Sequence, residues 1–171
     1  MTVEHRRLIR TSDRLHDVVR LGLDLDAERP YLQSIVERVA GELGTRFVLV
    51  DVLLSDAQVF LAEAGPVPEW VRKSQGTPLE WAFCQPLVAE RTARQVPDLA
   101  ADPMFRDNPL VTRAGLRAYA GAPLISKNGH VLGGICGLEA EPRTFTPAEL
   151  AYLRAASVMS CLLYTSDAAD E

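Results

Sequence analysis

One dipeptide, Asn128-Gly129, most constrains how this chain can fold. Asn-Gly between two apolar runs is the strongest short-range signal for a β-hairpin. It joins the stretch 116–125 to the stretch 130–138, so these two are expected to be neighbouring antiparallel strands. Both are unusual strands. The first reads Leu116-Arg-Ala-Tyr-Ala-Gly-Ala-Pro-Leu124, and the second carries Gly133, Gly134 and Gly137. Such glycines mark bulges, or places where a ligand or a packed element comes close to backbone.

The elements around this hairpin follow from periodicity and punctuation. Residues 3–21 carry Val3, Leu8, Leu15, Val18 and Val19 among charges, which predicts a thinly amphipathic lead-in helix or linker over 1–23. Leu32, Ile35, Val36, Val39, Ala40 and Leu43 make one wide apolar helical face, with Pro30 in its first turn and Gly44 as its stop. Phe47 to Leu54 is almost continuously apolar, as in a strand covered on both sides. Ser55-Asp56 turns the chain into a return strand at Gln58–Ala62, and Gly65-Pro66-Val67-Pro68 is a loop. A helix over Thr77–Glu90, kinked at Pro86, and an edge strand over Arg94–Leu99 come next. Asp102-Pro103 and Asn108-Pro109 each place a capping side chain before a proline, predicting two short helical turns. Thr146-Pro147-Ala148-Glu149 is a capping box, with Phe145 and Leu150 as its hydrophobic staple, and it opens the last helix. Helices alternate with antiparallel hairpins, which is an α+β arrangement.

Composition narrows the function classes. The 171 residues carry a formal net charge of −5, which disfavours nucleic acid or an anionic membrane as the partner. No apolar run approaches a membrane span, and no secretory h-region opens the chain, so a cytoplasmic location is expected. Cys84, Cys136 and Cys161 have no metal-ligand spacing. His5 and His16 are eleven residues apart, roughly 16 Å on one helix, too far to share a metal, and His130 reads as a solvated strand residue. The sequence therefore shows no metal site and no catalytic constellation. No glycine loop stands between a strand and a helix, which excludes a phosphate loop.

From about Asp24 to Met159 the chain resembles a GAF domain, the small-molecule-sensing module of signalling proteins. The pieces that carry the resemblance occur in the family's order: Trp81-Ala-Phe-Cys84, Val96-Pro-Asp98, Asp102-Pro-Met-Phe105, Asn108-Pro-Leu-Val111, Tyr119-Ala-Gly-Ala-Pro-Leu124, Gly129 with Gly133, Cys136, and Pro142-Arg143. The subgroup is the one found ahead of histidine kinase and diguanylate cyclase modules. Ala118 departs from its usual aromatic, and Glu139 from its usual Asp. The resemblance implies a GAF-like, PAS-related central antiparallel sheet of five to six strands over 24–160. Terminal helices would cover one face, and short helices and loops the other. It implies an unidentified small-molecule ligand and no particular cofactor, with signalling through a homodimer of terminal helices at residues 3–22 and 147–160.

An apolar pocket with a few polar groups is how small-molecule sites are built. On that basis Trp81, Phe83, Cys84, Asp98, Phe105, Asn108, Leu110, Arg117, Tyr119 and Cys136 are the candidate ligand contacts. Two rival readings stand beside the sensor. One is a ligand-free dimerisation module. The other is a cysteine-dependent enzyme like the free methionine sulfoxide reductases of this fold, whose cysteines would fall at about 106–116, where this chain has none. Two buried, mutually distant thiols would eliminate the enzyme.

Residues 161–171 form the least protein-like stretch. Helical sense fades after Leu163, and Cys161–Asp170 back-translates into a string like a transposon-end adapter used in sequencing libraries. The expectation is a non-native tail on a truncated signal-transduction protein.

Overall fold

The Asn128-Gly129 hairpin forms, with one more loop residue than the tightest turn. In the computed structural model Ser126 N donates to His130 O and Gly129 N to Ser126 O, both at 2.9 Å. Gly129 takes the left-handed conformation, φ 84°, so Lys127–Gly129 make a three-residue loop with glycine at the position that needs positive φ. The structure describes residues 1–22 and 29–169, with side chains as far as residue 161. The expected domain start at Asp24 lies outside the described residues.

The chain begins with α1 (Val3–Ile9) and α2 (Ser12–Arg20), two helices where one was expected. Thr11 is extended, ψ 139°, and starts the second helix. The break lets the two apolar faces go to different places, since Ile9 enters the core on one side of the sheet and Val18 the core on the other. His5 and His16 therefore sit on separate helices. Next come α3 (Pro30–Leu43), stopped by Gly44 at φ 60°, then β1 (Phe47–Leu53) and β2 (Ala57–Ala64). The expected loop after β2 is followed by α4 (Glu69–Ser74) and the short β3 (Gly76–Pro78).

The predicted kinked helix over 77–90 is corrected. Thr77 lies in β3, Leu79–Trp81 is a 3₁₀ turn, and α5 (Gln85–Glu90) begins afresh with Pro86 in its first turn. The proline starts a helix there, because the missing N–H costs nothing at that position. β4 (Arg94–Val96) ends at Pro97, as an edge strand should. Asp98 caps a 3₁₀ turn at Leu99–Ala101, Asp102 Oδ1 accepts from Met104 N, and Asn108 Oδ1 accepts from Leu110 N at the start of α6 (Pro109–Thr112). β5 (Ala118–Ile125) and β6 (Val131–Glu139) flank the hairpin loop, and α7 (Pro147–Ala169) closes the chain. The capping box is reciprocal: Thr146 N donates to Glu149 Oε1 at 2.8 Å, and Glu149 N to Thr146 Oγ1 at 3.1 Å. The backbone of α7 runs past Leu163, where a fading helix was expected. Neither proline nor glycine occurs between Ala148 and Ala169 to break it.

All six strands pair antiparallel in the order β3-β2-β1-β6-β5-β4. Every residue of β1 is buried, because both faces of the sheet are covered. Val48, Val50 and Val52 face α3 and α7, together with Ile135 and the alanines of β5. Phe47, Leu49, Asp51 and Leu53 face the opposite side, under α1, α4, α5 and α6.

Two polar ties hold the N-terminal helices to the sheet. Arg14 is buried, and its guanidinium donates to four carbonyls: Val131 at 2.8 Å, Ile9 at 2.8 Å, Leu53 at 2.5 Å and Leu132 at 3.0 Å. Asp17 accepts from the Ser126 hydroxyl and from Asn128 Nδ2, and meets His130 Nδ1 at 2.9 Å. His130 is thus half-buried and paired, not simply solvated as expected.

Candidate functional site

The side of the sheet away from α3 and α7 holds a cavity of about 60 Å³, room for a few waters. Alternation along the strands builds its floor. Leu49 and Asp51 of β1 and Cys136 and Leu138 of β6 share the face, since residues two apart in a strand point the same way. Val71 of α4, Leu110 of α6 and Leu116 make the opposite wall, and Trp70, 42% exposed, stands at the rim.

Asp51 is the one charged residue of that lining among the described residues, and it is 2% exposed. Its Oδ1 accepts from Gly134 N at 2.8 Å, across the β1–β6 pair. The Cys84 thiol stands beside it. Burial pushes its pKa up to about 6, against the opposing pull of the Gly134 N–H, the Cys84 thiol and the Arg14 charge. Arg14 is pushed down to about 10, again by burial, and gives its N–H groups to carbonyls.

Cys84 closes the polar end of the cavity. It sits at the start of α5, with Cys136 beside it, and the Tyr119 hydroxyl donates to its Sγ at 3.3 Å. The contact with Cys136 and burial raise the Cys84 thiol well above its ordinary value. Burial likewise raises Tyr119. Glycine makes this packing possible. A Cβ on Gly121 would lie 2.1 Å from Tyr119 Oη, and one on Gly134 would lie 2.9 Å from Leu87 and 3.1 Å from Cys84 Sγ. Toward the other end, Gln58 Nε2 donates to Thr77 Oγ1 at 2.6 Å, and both residues line the cavity.

Four of the ten predicted contacts come together on the wall: Phe83, Cys84, Leu110 and Cys136. Tyr119 and Phe105 form a layer behind them. Phe83 meets Phe105 edge-on at 5.3 Å between ring centroids and Tyr119 at 5.9 Å, which fixes its ring over the cavity. Trp81 lies outside, in a shallow cleft with Trp70 and Pro109. Asn108 is spent on structure, capping α6 and donating to Trp81 O at 3.1 Å. Asp98 and Arg117 pair with each other in a two-pronged ion pair, both contacts 2.9 Å, away from the cavity. Sequence reasoning missed Asp51, Gln58 and Thr77. A lone charge in the apolar run Phe47–Leu54 was the available signal for Asp51.

The two thiols are buried but adjacent, so distance does not eliminate thiol chemistry. Among the described residues no group of three His, Cys, Asp or Glu side chains could hold a metal ion, and no helix is long and apolar enough to cross a membrane.

Comparison with known proteins converges on one family. Residues 29–159 match the GAF domain family. Over 127 residues the chain is 32% identical to a cyclic di-GMP phosphodiesterase of Pseudomonas aeruginosa, covering 74% of this chain and 21% of that protein. The chain thus spans about a fifth of that relative's length. The GAF domain of an Acinetobacter phosphoenolpyruvate-protein phosphotransferase superposes with TM-score 0.65 at 15% identity, covering 99% of this chain and 98% of that one. A type II free methionine-R-sulfoxide reductase from Thermoplasma acidophilum gives TM-score 0.65 at 14% identity, covering 81% and 92%. At those identities the structural likenesses establish the fold alone. With the family match spanning most of the chain, and the sheet order and covering helices in agreement, this protein belongs to the GAF domain family.

Proposed function

We propose that this GAF domain is a regulatory input module that holds a small molecule in the cavity over β1 and β6 and reports its presence to the terminal helices. The observation that carries the reading is the buried carboxylate of Asp51 in a mostly apolar, partly enclosed cavity. A fold selected for stability alone fills such a space or removes the charge, because a buried charge without a charge partner is costly. Occupancy has a route outward. Cys84 lines the cavity and starts α5, and α5 packs against α1. A ligand that favours one packing of α1 on α5 shifts the helices by its differential affinity for the two states. In this reading the helices at 3–22 and 147–160 pair two copies in a cytoplasmic homodimer, supported by exposed Val3, Val19, Val158 and Met159. The likeness to a phosphodiesterase supports a parent protein concerned with cyclic di-GMP turnover, in which this domain regulates and does not react.

A metabolite screen by thermal shift tests the proposal, with a plugged variant, Leu116→Trp, as control. Hits that raise Tm in the natural protein and not in the plugged one support it. Hits unaffected by the plug, or no hits at all, sink it. Hydrogen exchange on α1 that slows with ligand would support the route.

A second reading, cysteine-dependent reduction of methionine sulfoxide, draws on the contact between Cys84 and Cys136. The raised Cys84 thiol opposes it, since the thiolate is the nucleophile. Turnover of methionine sulfoxide that vanishes in Cys84→Ser would favour it over the sensor.

A further inference from the structure

The walls of the cavity say what kind of molecule it takes. Among the described residues no Arg, Lys or His lines it, and the one charged residue is a carboxylate. A ligand carrying a carboxylate or phosphate would lose its hydration, meet Asp51 as a like charge, and find no cation in exchange. That excludes nucleotides, including the cyclic dinucleotide on which the Pseudomonas aeruginosa relative acts.

Asp51 meanwhile lacks a contact ion pair. No salt bridge reaches it among the described residues. Arg14, the cation that acts on it, directs its bonds to the carbonyls of Ile9, Leu53, Val131 and Leu132. A buried carboxylate with a neutral backbone donor, the Gly134 N–H, and no paired cation is the complement of a bound ammonium group. The rest of the lining suits a hydrocarbon tail, with Leu49, Val71, Leu110 and Leu116 around it. Size sets the last limit. A cavity of about 150 Å³ accepts benzene, and this one is about 60 Å³. Its occupant is therefore a molecule of only a few heavy atoms beyond the charged group.

We propose that the cavity binds a short-chain primary amine as its ammonium ion, with Asp51 as counter-ion and the apolar wall around the alkyl tail. The proposal rests on the sensory reading above and gives that reading its ligand class.

Three probes of matched shape test it: isobutylamine, isobutanol and isobutyrate, titrated by calorimetry at pH 7.5 into the natural protein and into Asp51→Asn. The expected order is amine first, alcohol weaker by roughly tenfold or more, as for a hydrogen bond to a charged group, and no binding of the acid. In Asp51→Asn the advantage of the amine over the alcohol disappears while alcohol binding persists, which shows the cavity intact. Should Asp51→Asn fail to fold, the order of the three probes on the natural protein still decides. An amine no tighter than the alcohol, or a carboxylate that binds, overturns the amine assignment and leaves the sensor standing. Silence from all three probes overturns the assignment as well. Silence both here and in the plugged-control metabolite screen brings down the sensory reading with it.

Discussion

The two faces of one sheet have been built to different rules. Toward α3 and α7 the contacts are mostly aliphatic: valines from β1, alanines from β5, Ile135, and Leu32, Val36, Val39 and Leu153 from the helices, with Phe145 and Cys161 at the margin. Toward α1, α4, α5 and α6 they are aromatic rings, thiols, a carboxylate and a space. Both faces are drawn from the same strands, residue by alternate residue. The first face supplies the packed core that holds the sheet, and the second can then leave room unfilled without the fold losing its frame. In the proposed reading, stability and recognition are separated by 180° of side-chain direction.

Truncations should break the comparison most sharply. Leu153→Ala removes a fully buried side chain from the aliphatic face and should cost about 2–5 kcal/mol, the range for cavity-creating core substitutions. Leu110→Ala on the other face enlarges an existing space and should cost about 2 kcal/mol or less, because fewer atoms lose partners. Urea unfolding of both variants measures the difference. Equal losses would mean that the cavity face is packed as tightly as the other.

The next largest effect is electrostatic and belongs to the cavity face alone. Asp51 keeps its proton up to about pH 6 in the folded chain, against an ordinary aspartate value of 3.8. Between those values the folded state holds more protons than the unfolded one, so this group's contribution falls as pH rises through the window and levels off above it. The whole effect is on the order of 3 kcal/mol. The groups facing Asp51 do not blur the window. Arg14 titrates near 10, and Cys84 and Tyr119 are pushed upward. Unfolding free energy measured from pH 4 to 7.5 should therefore drop more in the natural protein than in Asp51→Asn. Parallel curves would show that the carboxylate is better solvated than its burial implies.

These contrasts also show how far the sequence alone could be read. Outside residues 1–22 and 65–90, the order of helices and strands, the Gly44 stop, the Thr146 capping box and the edge position of the strand at Arg94 all follow from local rules, and each is present. The segment 65–90 resisted reading, because its short pieces are set by what they cover. Pro86 starts a helix because the chain has already turned at Leu79–Trp81 before it. The candidate site was half legible for the same reason. Phe83, Cys84, Leu110 and Cys136 sit on the wall, but polar residues near them in sequence, Asp98, Asn108 and Arg117, satisfy one another or the backbone. Asp51 lies far from that segment in sequence and reaches the site only through the β1–β6 pairing.

Smaller effects sharpen the picture. Thr146→Ala removes one arm of the reciprocal cap on α7 and should cost about 1 kcal/mol, with no change in the affinity of any cavity ligand. Asp98→Asn should leave ligand affinity unchanged altogether, since the Asp98–Arg117 pair stands apart from the cavity. Calorimetry on either variant checks this. A weakened ligand would mean that the site extends past Phe105 to the outer strand.

Arg14 bears on where this folded unit begins. The family match starts at residue 29, yet the guanidinium that ties together the ends of β1 and β6 comes from α2. A chain cut just before residue 29 would strip the carbonyls of Leu53, Val131 and Leu132 of their shared donor and uncover the apolar surface under Ile9. The first twenty-odd residues are therefore part of the domain's own architecture, and any message leaving through them starts from inside the core.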